Sequence, residues 1–227
     1  MKKENTLERF KRDTRDHSML VENDNGVFRH LHFSRRGSSC YHFTLTTWPG
    51  HLCIGGDMGT YVFRRLHDMF SFFRMDHRDY QRHGDDPLIN ISYWSEKLEM
   101  GSGHPSDIYT EWSSDAFEAR AQEYYNDWLE NIEDGDGITE EIKADVLKEI
   151  NDLKSGSYNE FEAAVAYNDF SSEHIDLADF WEDNCRKVTS GFVWCLYAIV
   201  WGIQQYDRRC MVKATMDKFF VYQLEAV

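Results

Sequence analysis

Imidazole side chains are concentrated near the start of the sequence, in segments that also have strand character. His30 and His32 are two residues apart on one predicted strand, so both side chains lie on the same face of a sheet. His42 lies on a neighbouring predicted strand, and Asp57 lies in a later turn. Imidazoles on adjacent strands with a carboxylate nearby are typical ligands of zinc or non-haem iron. One hypothesis is therefore a metal-dependent hydrolase or nuclease that uses His30, His32, His42 and Asp57.

The histidine spacing matches no named metal motif, and the alternative is that these residues are half-exposed sheet positions. Other enzyme signatures are incomplete. The Asp-Gly-Asp-Gly run at 134–137 resembles a calcium loop, but Ile132 and Lys143 stand where that loop needs acidic side chains. The glycine-rich stretch 55–59 predicts a tight hairpin rather than a phosphate-binding loop. The sequence thus predicts no cofactor, and it favours a binding protein over an enzyme.

Negative charge is placed unevenly along the chain. The formal net charge is −15, yet residues 1–100 carry +1 and residues 101–227 carry −16. An acidic helical surface can imitate the charge of nucleic acid and occupy a basic groove of a partner protein. The residues predicted to form such a surface lie around the break between two helices; they are Glu130, Glu133, Asp134, Asp136, Glu140, Glu141 and Asp145.

Arginines interleaved with aromatic residues in the first part of the chain give a third hypothesis. Arg29 lies within one predicted strand, and Arg35 and Arg36 lie in the turn after it. They could follow a nucleic-acid backbone across a sheet, which predicts a nucleic-acid or nucleotide-binding protein. The acidic second half opposes this hypothesis because it repels phosphate. A solvated surface, or self-association between faces of opposite charge, is the alternative.

The elements expected to position these residues define an α+β fold. A short helix at 4–16 precedes an N-terminal antiparallel meander of three to four strands between Val27 and Phe63, because alternating residues there are separated by turn signals. A mainly helical C-terminal part is expected to pack on it. Helices are predicted at 64–75, after Ser114, after the N-cap Thr139, and at 158–168, 175–184 and 188–205, with a polar loop at 76–90 and an ambiguous end at 219–224.

Two regions are therefore expected, a basic and histidine-rich meander at 1–90 and an acidic helical part at 91–227, packed as one unit. The longest apolar run, 191–203, is shorter than the ~20 residues that cross a bilayer, so no membrane contact is predicted. The first residues lack the apolar core of a signal peptide, and the five cysteines form no CxxC pair, which indicates a cytoplasmic protein with reduced thiols.

Three segments together resemble a family of proteins of about this length that tailed bacteriophages and prophages carry. They are Trp48–Leu52 running into Gly56–Tyr61, Met69–Arg74, and Phe192–Ile199 continuing to Trp201–Asp207. The resemblance implies an accessory phage protein that acts in the cytoplasm of a bacterial host, and it carries over no catalytic residue. We therefore expect binding to a host or anti-phage-defence protein, with nucleic acid disfavoured as a partner and homo-oligomers allowed.

Overall fold

The computed structural model describes residues 6–99, 106–133, 137–182 and 185–225. They form two compact units. Unit 1 combines both ends of the chain, Met1–Tyr109 and Thr189–Val227, and unit 2 is the intervening Thr110–Val188. The boundaries differ from the expected one at residue 90, because the last helix packs on the N-terminal sheet. The α+β class is confirmed.

Unit 1 contains a five-stranded antiparallel sheet in which each strand pairs with the next. Its strands are β1 (His17–Asn25), β2 (Phe28–Arg35), β3 (Phe43–Trp48), β4 (His51–Gly56) and β5 (Tyr61–Arg64). Two-residue turns join β1 to β2 and β3 to β4, where Gly26 and Gly50 take the positive φ values of 63° and 82° that such turns require. The sequence predicts a meander of three to four strands. It does not indicate β1, because the second half of this strand is polar and a bulge interrupts it near Glu22.

The helices, in chain order with the two remaining strands, are α1 (Thr6–Thr14), α2 (Met69–Phe73), α3 (His77–His83), α4 (Ile91–Ser95), α5 (Ser106–Tyr109), β6 (Thr110–Trp112), α6 (Ser114–Glu130), α7 (Glu140–Ser155), α8 (Glu160–Asp169), β7 (Arg186–Val188) and α9 (Ser190–Glu225). The predicted loop 76–90 contains α3, because Asp76 and Asp79 form a reciprocal capping box. The ambiguous end continues α9. Among the described residues, no helix combines the length and the apolar character needed to cross a membrane.

The core of unit 1 lies between one face of the sheet and the first half of α9. Phe33 and Phe43 are fully covered and stack with ring centroids 4.5 Å apart, and Trp194 packs edge-on against Phe43. Helix α9 approaches the sheet closely at Gly202, where an added Cβ would lie 2.7 Å from a methyl carbon of Leu45. The absence of a side chain at Gly202 therefore sets the distance between helix and sheet.

Unit 2 has a separate core formed by α6, α7, α8 and the segment that leads to β7. Phe117, Val146, Ile150 and Phe180 are fully buried in it. Each of its helices starts at a capping side chain, and the Thr139 hydroxyl accepts a hydrogen bond from the Ile142 N–H as predicted. Within the residues described, the helix expected at 175–184 is reduced to a short 3-10 turn, Phe180–Glu182.

Candidate functional site

The histidines predicted to bind metal lie on the outer face of the five-stranded sheet. Burial alternates along β2, so Leu31 and Phe33 face the core while His30 and His32 face away from it. The register places Thr46 opposite His30 and Thr44 opposite His32 on β3. Strand pairing thus confirms that the two imidazoles share one face, as their spacing indicated.

His30 is held by two neighbours on this face. Its Nδ1 lies 2.7 Å from the Thr46 hydroxyl, and its Nε2 lies 3.2 Å from a carboxylate oxygen of Glu22 on β1. Both ring nitrogens therefore have hydrogen-bonding partners, which leaves no lone pair directed at a shared ligand position. His30 does not join the other predicted ligands.

His42 and Asp57 do come together: His42 lies in the loop that precedes β3, and Asp57 lies in the turn that follows β4. His42 Nδ1 lies 2.9 Å from Asp57 Oδ1 and 2.8 Å from the Ser39 carbonyl oxygen, and the Tyr41 N–H donates to Asp57 Oδ2 at 2.6 Å. Tyr41 has a φ of +58°, a backbone conformation that residues other than glycine rarely adopt, and the Asp57 carboxylate holds it in place. The His42–Asp57 pair therefore stabilises the loop.

His32 stands beside this pair, with its ring centroid 6.0 Å from that of His42. Among the residues that the structure describes, no three His, Cys, Asp or Glu side chains are grouped so that they could hold a metal ion. The geometry gives the metal hypothesis no support.

Arg29 is buried on the opposite face of the sheet, where the sequence predicted a nucleic-acid contact. Its guanidinium donates to both carboxylate oxygens of Asp68, at 2.9 and 3.0 Å, and stacks on the rings of Phe70 and Tyr206. Tyr206 in turn donates to Asp24. Burial, with the hydrogen bond to Asp24, raises the pKa of Tyr206 to about 12. Arg29 is thus part of the core.

Arg35 and Arg36 are exposed at the other end of β2. Six residues of extended strand separate Arg35 from Arg29, a distance of about 20 Å. The three arginines therefore do not form one basic patch, and the structure does not bring together the surface that the nucleic-acid hypothesis needs.

An open cleft of about 630 Å³ in unit 1 lies near α2 and α4 and is lined in part by Phe72, Arg74, Asp79 and Trp94. Its charged groups already have structural partners. Arg74 donates to both carboxylate oxygens of Asp207, at 2.7 and 2.9 Å, and Asp79 caps α3. Polar groups that converge on a ligand are the usual mark of a binding site. In this cleft the charged groups are engaged with the protein itself.

Unit 2 has a different electrostatic character. Residues 110–188 contain 22 Asp and Glu but 6 Lys and Arg, a net charge of −16, whereas the rest of the chain contains 18 acidic and 19 basic residues. The surplus that the sequence placed in the second half of the chain therefore belongs to this one compact unit. A field of this strength attracts cationic partners and repels phosphate.

The predicted acidic residues are exposed wherever the structure describes them. They are Glu130 at the end of α6, Glu133 after it, and Glu140, Glu141 and Asp145 on α7; Asp134 and Asp136 lie outside the described residues. Glu140 pairs with Lys143 at 2.8 Å. Within the described chain, Glu141 and Asp145 have no Lys or Arg within ion-pair distance, and they stand one helical turn apart. These two carboxylates are accessible to a partner.

An acidic cleft of about 310 Å³ in unit 2 was not predicted from the sequence. Glu149 and Asp152 of α7 and Asp169 at the end of α8 line it, and Leu153 and Phe170 provide apolar walls. One carboxylate oxygen of Glu149 is buried and has no hydrogen-bond partner in the described residues. The i, i+3 spacing of Glu149 and Asp152 is visible in the sequence, but only the packing of α8 on α7 brings Asp169 to them.

No family model, no curated protein and no solved structure matches this chain.

Proposed function

We propose that this chain is an accessory binding protein and that unit 2 binds a basic surface of a partner protein by imitating the charge of nucleic acid. The observation that carries the proposal is the concentration of a net charge of −16 within residues 110–188. Acidic side chains in unit 1 are largely offset by basic ones. The surplus in unit 2 favours binding of an external cationic surface.

The arrangement of the carboxylates suits this role. Glu141 and Asp145 lie about 6 Å apart along the axis of α7, a spacing within a factor of two of the phosphate repeat of one nucleic-acid strand. A groove that binds phosphates presents lysine and arginine side chains at comparable intervals. Helix α7 would present a rigid row of negative charges to such a groove.

The acidic cleft offers a more specific contact. Carboxylates of Glu149, Asp152 and Asp169 surround a space with apolar walls, which is suited to a guanidinium group. An arginine can donate two parallel hydrogen bonds to one carboxylate while its flat face packs on apolar side chains. We assign this cleft to an arginine of the partner.

The resemblance to proteins of tailed bacteriophages suggests the class of partner. A phage accessory protein that acts inside a bacterium meets host and defence proteins, many of which carry basic grooves for nucleic acid. We therefore propose a host or anti-phage-defence protein with such a groove as the target.

The test is capture of partners from bacterial lysate by the tagged full chain, at about 50 mM and about 500 mM salt, with identification by mass spectrometry. The wild-type protein is compared with a Glu141→Lys/Asp145→Lys variant. A matched control, Asp16→Lys/Glu96→Lys, makes the same change in net charge on exposed residues of unit 1. A DNA duplex is then added to the captured complex as a competitor.

We expect one stoichiometric partner, which high salt and DNA release from the wild-type protein. The α7 variant should fail to capture this partner, and the unit 1 control should capture it normally. A partner that resists salt and binds the α7 variant normally would overturn the proposal. Release by salt without competition by DNA would retain acidic binding but refute imitation of nucleic acid.

A further inference from the structure

The last part of α9 is an exposed amphipathic helix. Residues 208–219, here called the tail segment, are exposed throughout, in contrast to the buried turns between Phe192 and Tyr206. Met211 and Val212 are 63% and 60% exposed, and Met216 follows Val212 by one helical turn. These three side chains share one side of the helix. Apolar groups grouped in this way on a helix mark an interaction surface.

Basic residues flank this apolar side. The tail segment contains Arg208, Arg209, Lys213 and Lys218 against Asp217, a net charge of +3. Arg208 pairs with Asp85 at 2.9 Å, so Arg209, Lys213 and Lys218 are the cations of the tail segment without an ion pair in the described chain. Pairing of two tail segments with each other would place these cations together, which like-charge repulsion opposes.

Helix α8 of unit 2 and the turn before it carry an exposed apolar surface with the opposite charge. Tyr158 and Phe161 are 81% and 77% exposed, and Val165 follows Phe161 by one turn. Ala163 on the other side of α8 is buried in the core of unit 2. Residues 158–169 contain Glu160, Glu162 and Asp169 and no Lys or Arg. Glu160 pairs with Arg186 at 2.8 Å, so Glu162 and Asp169 provide the remaining negative charge beside this surface.

The two surfaces match in length, chemistry and charge. Each places two apolar side chains one helical turn apart, Val212 and Met216 on the tail segment and Phe161 and Val165 on α8, about 6 Å along the helix. Cations flank the first pair and carboxylates flank the second. We propose that the tail segment of one copy of this chain docks on α8 of a second copy. Met211, Val212 and Met216 pack against Tyr158, Phe161 and Val165, and Lys213 lies near Glu162.

Reciprocal exchange makes this contact twice in a dimer. The tail of the first copy covers α8 of the second while the second tail covers α8 of the first, which closes the assembly with two-fold symmetry. Because the dimer forms both contacts at once, it buries twice the apolar area of one contact. Each surface alone is small, and a stable interface needs a larger buried area.

The experiment is sedimentation velocity of the purified full chain over about 1–100 µM, a range that detects modest affinities. Met216→Asp disrupts the tail and Phe161→Asp disrupts α8. Ala214→Asp adds the same charge on the side of the tail segment that faces away from Val212 and Met216, and it serves as control. We expect a wild-type dimer, an unchanged Ala214→Asp variant, and a dissociation constant at least about tenfold higher for the other two, as for truncated interface anchors.

A mixture of the Met216→Asp and Phe161→Asp proteins retains one intact tail and one intact α8. We expect this mixture to form a heterodimer that is weaker than the wild-type dimer and stronger than either variant alone. Lys213→Glu and Glu162→Lys should each weaken the dimer, and their combination should restore it. A wild-type protein that stays monomeric, a dimer that both aspartate variants leave intact, or a mixture that fails to associate would each overturn the proposal.

Discussion

The two units use charge in opposite ways. In unit 1, 19 basic residues stand beside 18 acidic ones, and several form internal pairs such as Arg29–Asp68 and Arg74–Asp207. In unit 2, 22 acidic residues stand beside 6 basic ones, and carboxylates such as Glu141 and Asp145 remain exposed on the helices. Charge in unit 1 thus fixes the position of its own elements. Charge in unit 2 exceeds what its own structure uses, and the excess faces outward.

The largest effects should come from the two separate cores. Phe33→Ala in unit 1 and Phe117→Ala in unit 2 each remove a fully buried ring, so each should lower the free energy of unfolding of its own unit by about 3–5 kcal/mol. Amide hydrogen exchange read by mass spectrometry would assign the loss of protection. Phe28→Ala, at a half-exposed ring, is the control, with an expected change within about 0.5 kcal/mol. Equal loss of protection in both units after either core substitution would show that the two units unfold as one cooperative structure.

A smaller effect should come from the buried ion pair of unit 1. Burial alone would raise the pKa of Asp68, but hydrogen bonds from Arg29 and from the Phe70 N–H outweigh burial and hold this pKa below its usual value. Asp68→Asn keeps an acceptor for the N-cap of α2 but leaves the Arg29 charge unpaired. At neutral pH we expect unit 1 to lose about 2–3 kcal/mol, somewhat less than for a fully buried pair because Asp68 is partly exposed.

The contribution of the Asp68 carboxylate to the stability of unit 1 depends on pH. A carboxyl group with a lowered pKa in the folded state contributes stability above its unfolded pKa, near 3.8, and loses it as the pH falls through the folded value. The difference between wild type and Asp68→Asn in urea unfolding should therefore be constant at neutral pH and shrink below about pH 4. Asp86→Asn, which removes an exposed pair with Lys11, is the control and should change stability by less than about 1 kcal/mol. A difference that persists unchanged in acid would show that the pair does not stabilise unit 1 through its charge.

The sequence predicted what depends on neighbouring residues. Alternation and turn residues located the strands from Val27 to Phe63, and a capping hydroxyl located the start of α7 at Thr139. Strand β1 lacks a clear alternation beyond Val21, and it is recognisable as a strand only from its pairing with β2. The candidate sites depend even more on the tertiary structure. Arg29 pairs with Asp68, which lies 39 positions later in the chain, so Arg29 is a core residue although the sequence predicted it to lie on the surface.

The sequence gives the total of the acidic surplus, but the fold limits this surplus to a smaller part of the chain than the whole second half. The helix α9 lies in the acidic half by sequence, yet its packing places it in unit 1, and its tail segment is basic. The acidic cleft likewise needs α8 to bring Asp169 beside α7. Composition gives the amount of charge, and the fold decides which surface carries it.

The smallest effect should come from salt and should separate the two units. Raising the ionic strength from about 10 mM to about 500 mM screens repulsion among exposed carboxylates, so unit 2 should gain several tenths of a kcal/mol or more while unit 1 changes less. Glu149→Gln removes a charge whose buried oxygen has no hydrogen-bond partner in the described residues, and it should stabilise unit 2 at low salt and reduce its response to salt. Glu96→Gln in unit 1 is the matched neutralisation, and hydrogen exchange at both salt concentrations would measure both variants.

If Glu149→Gln stabilises unit 2 and also weakens capture of the basic partner, then a group that costs stability is retained for binding, which is the trade-off expected of a functional site. A gain in stability with unchanged capture would remove the cleft from the binding surface, and a loss of stability would show that Glu149 supports the fold.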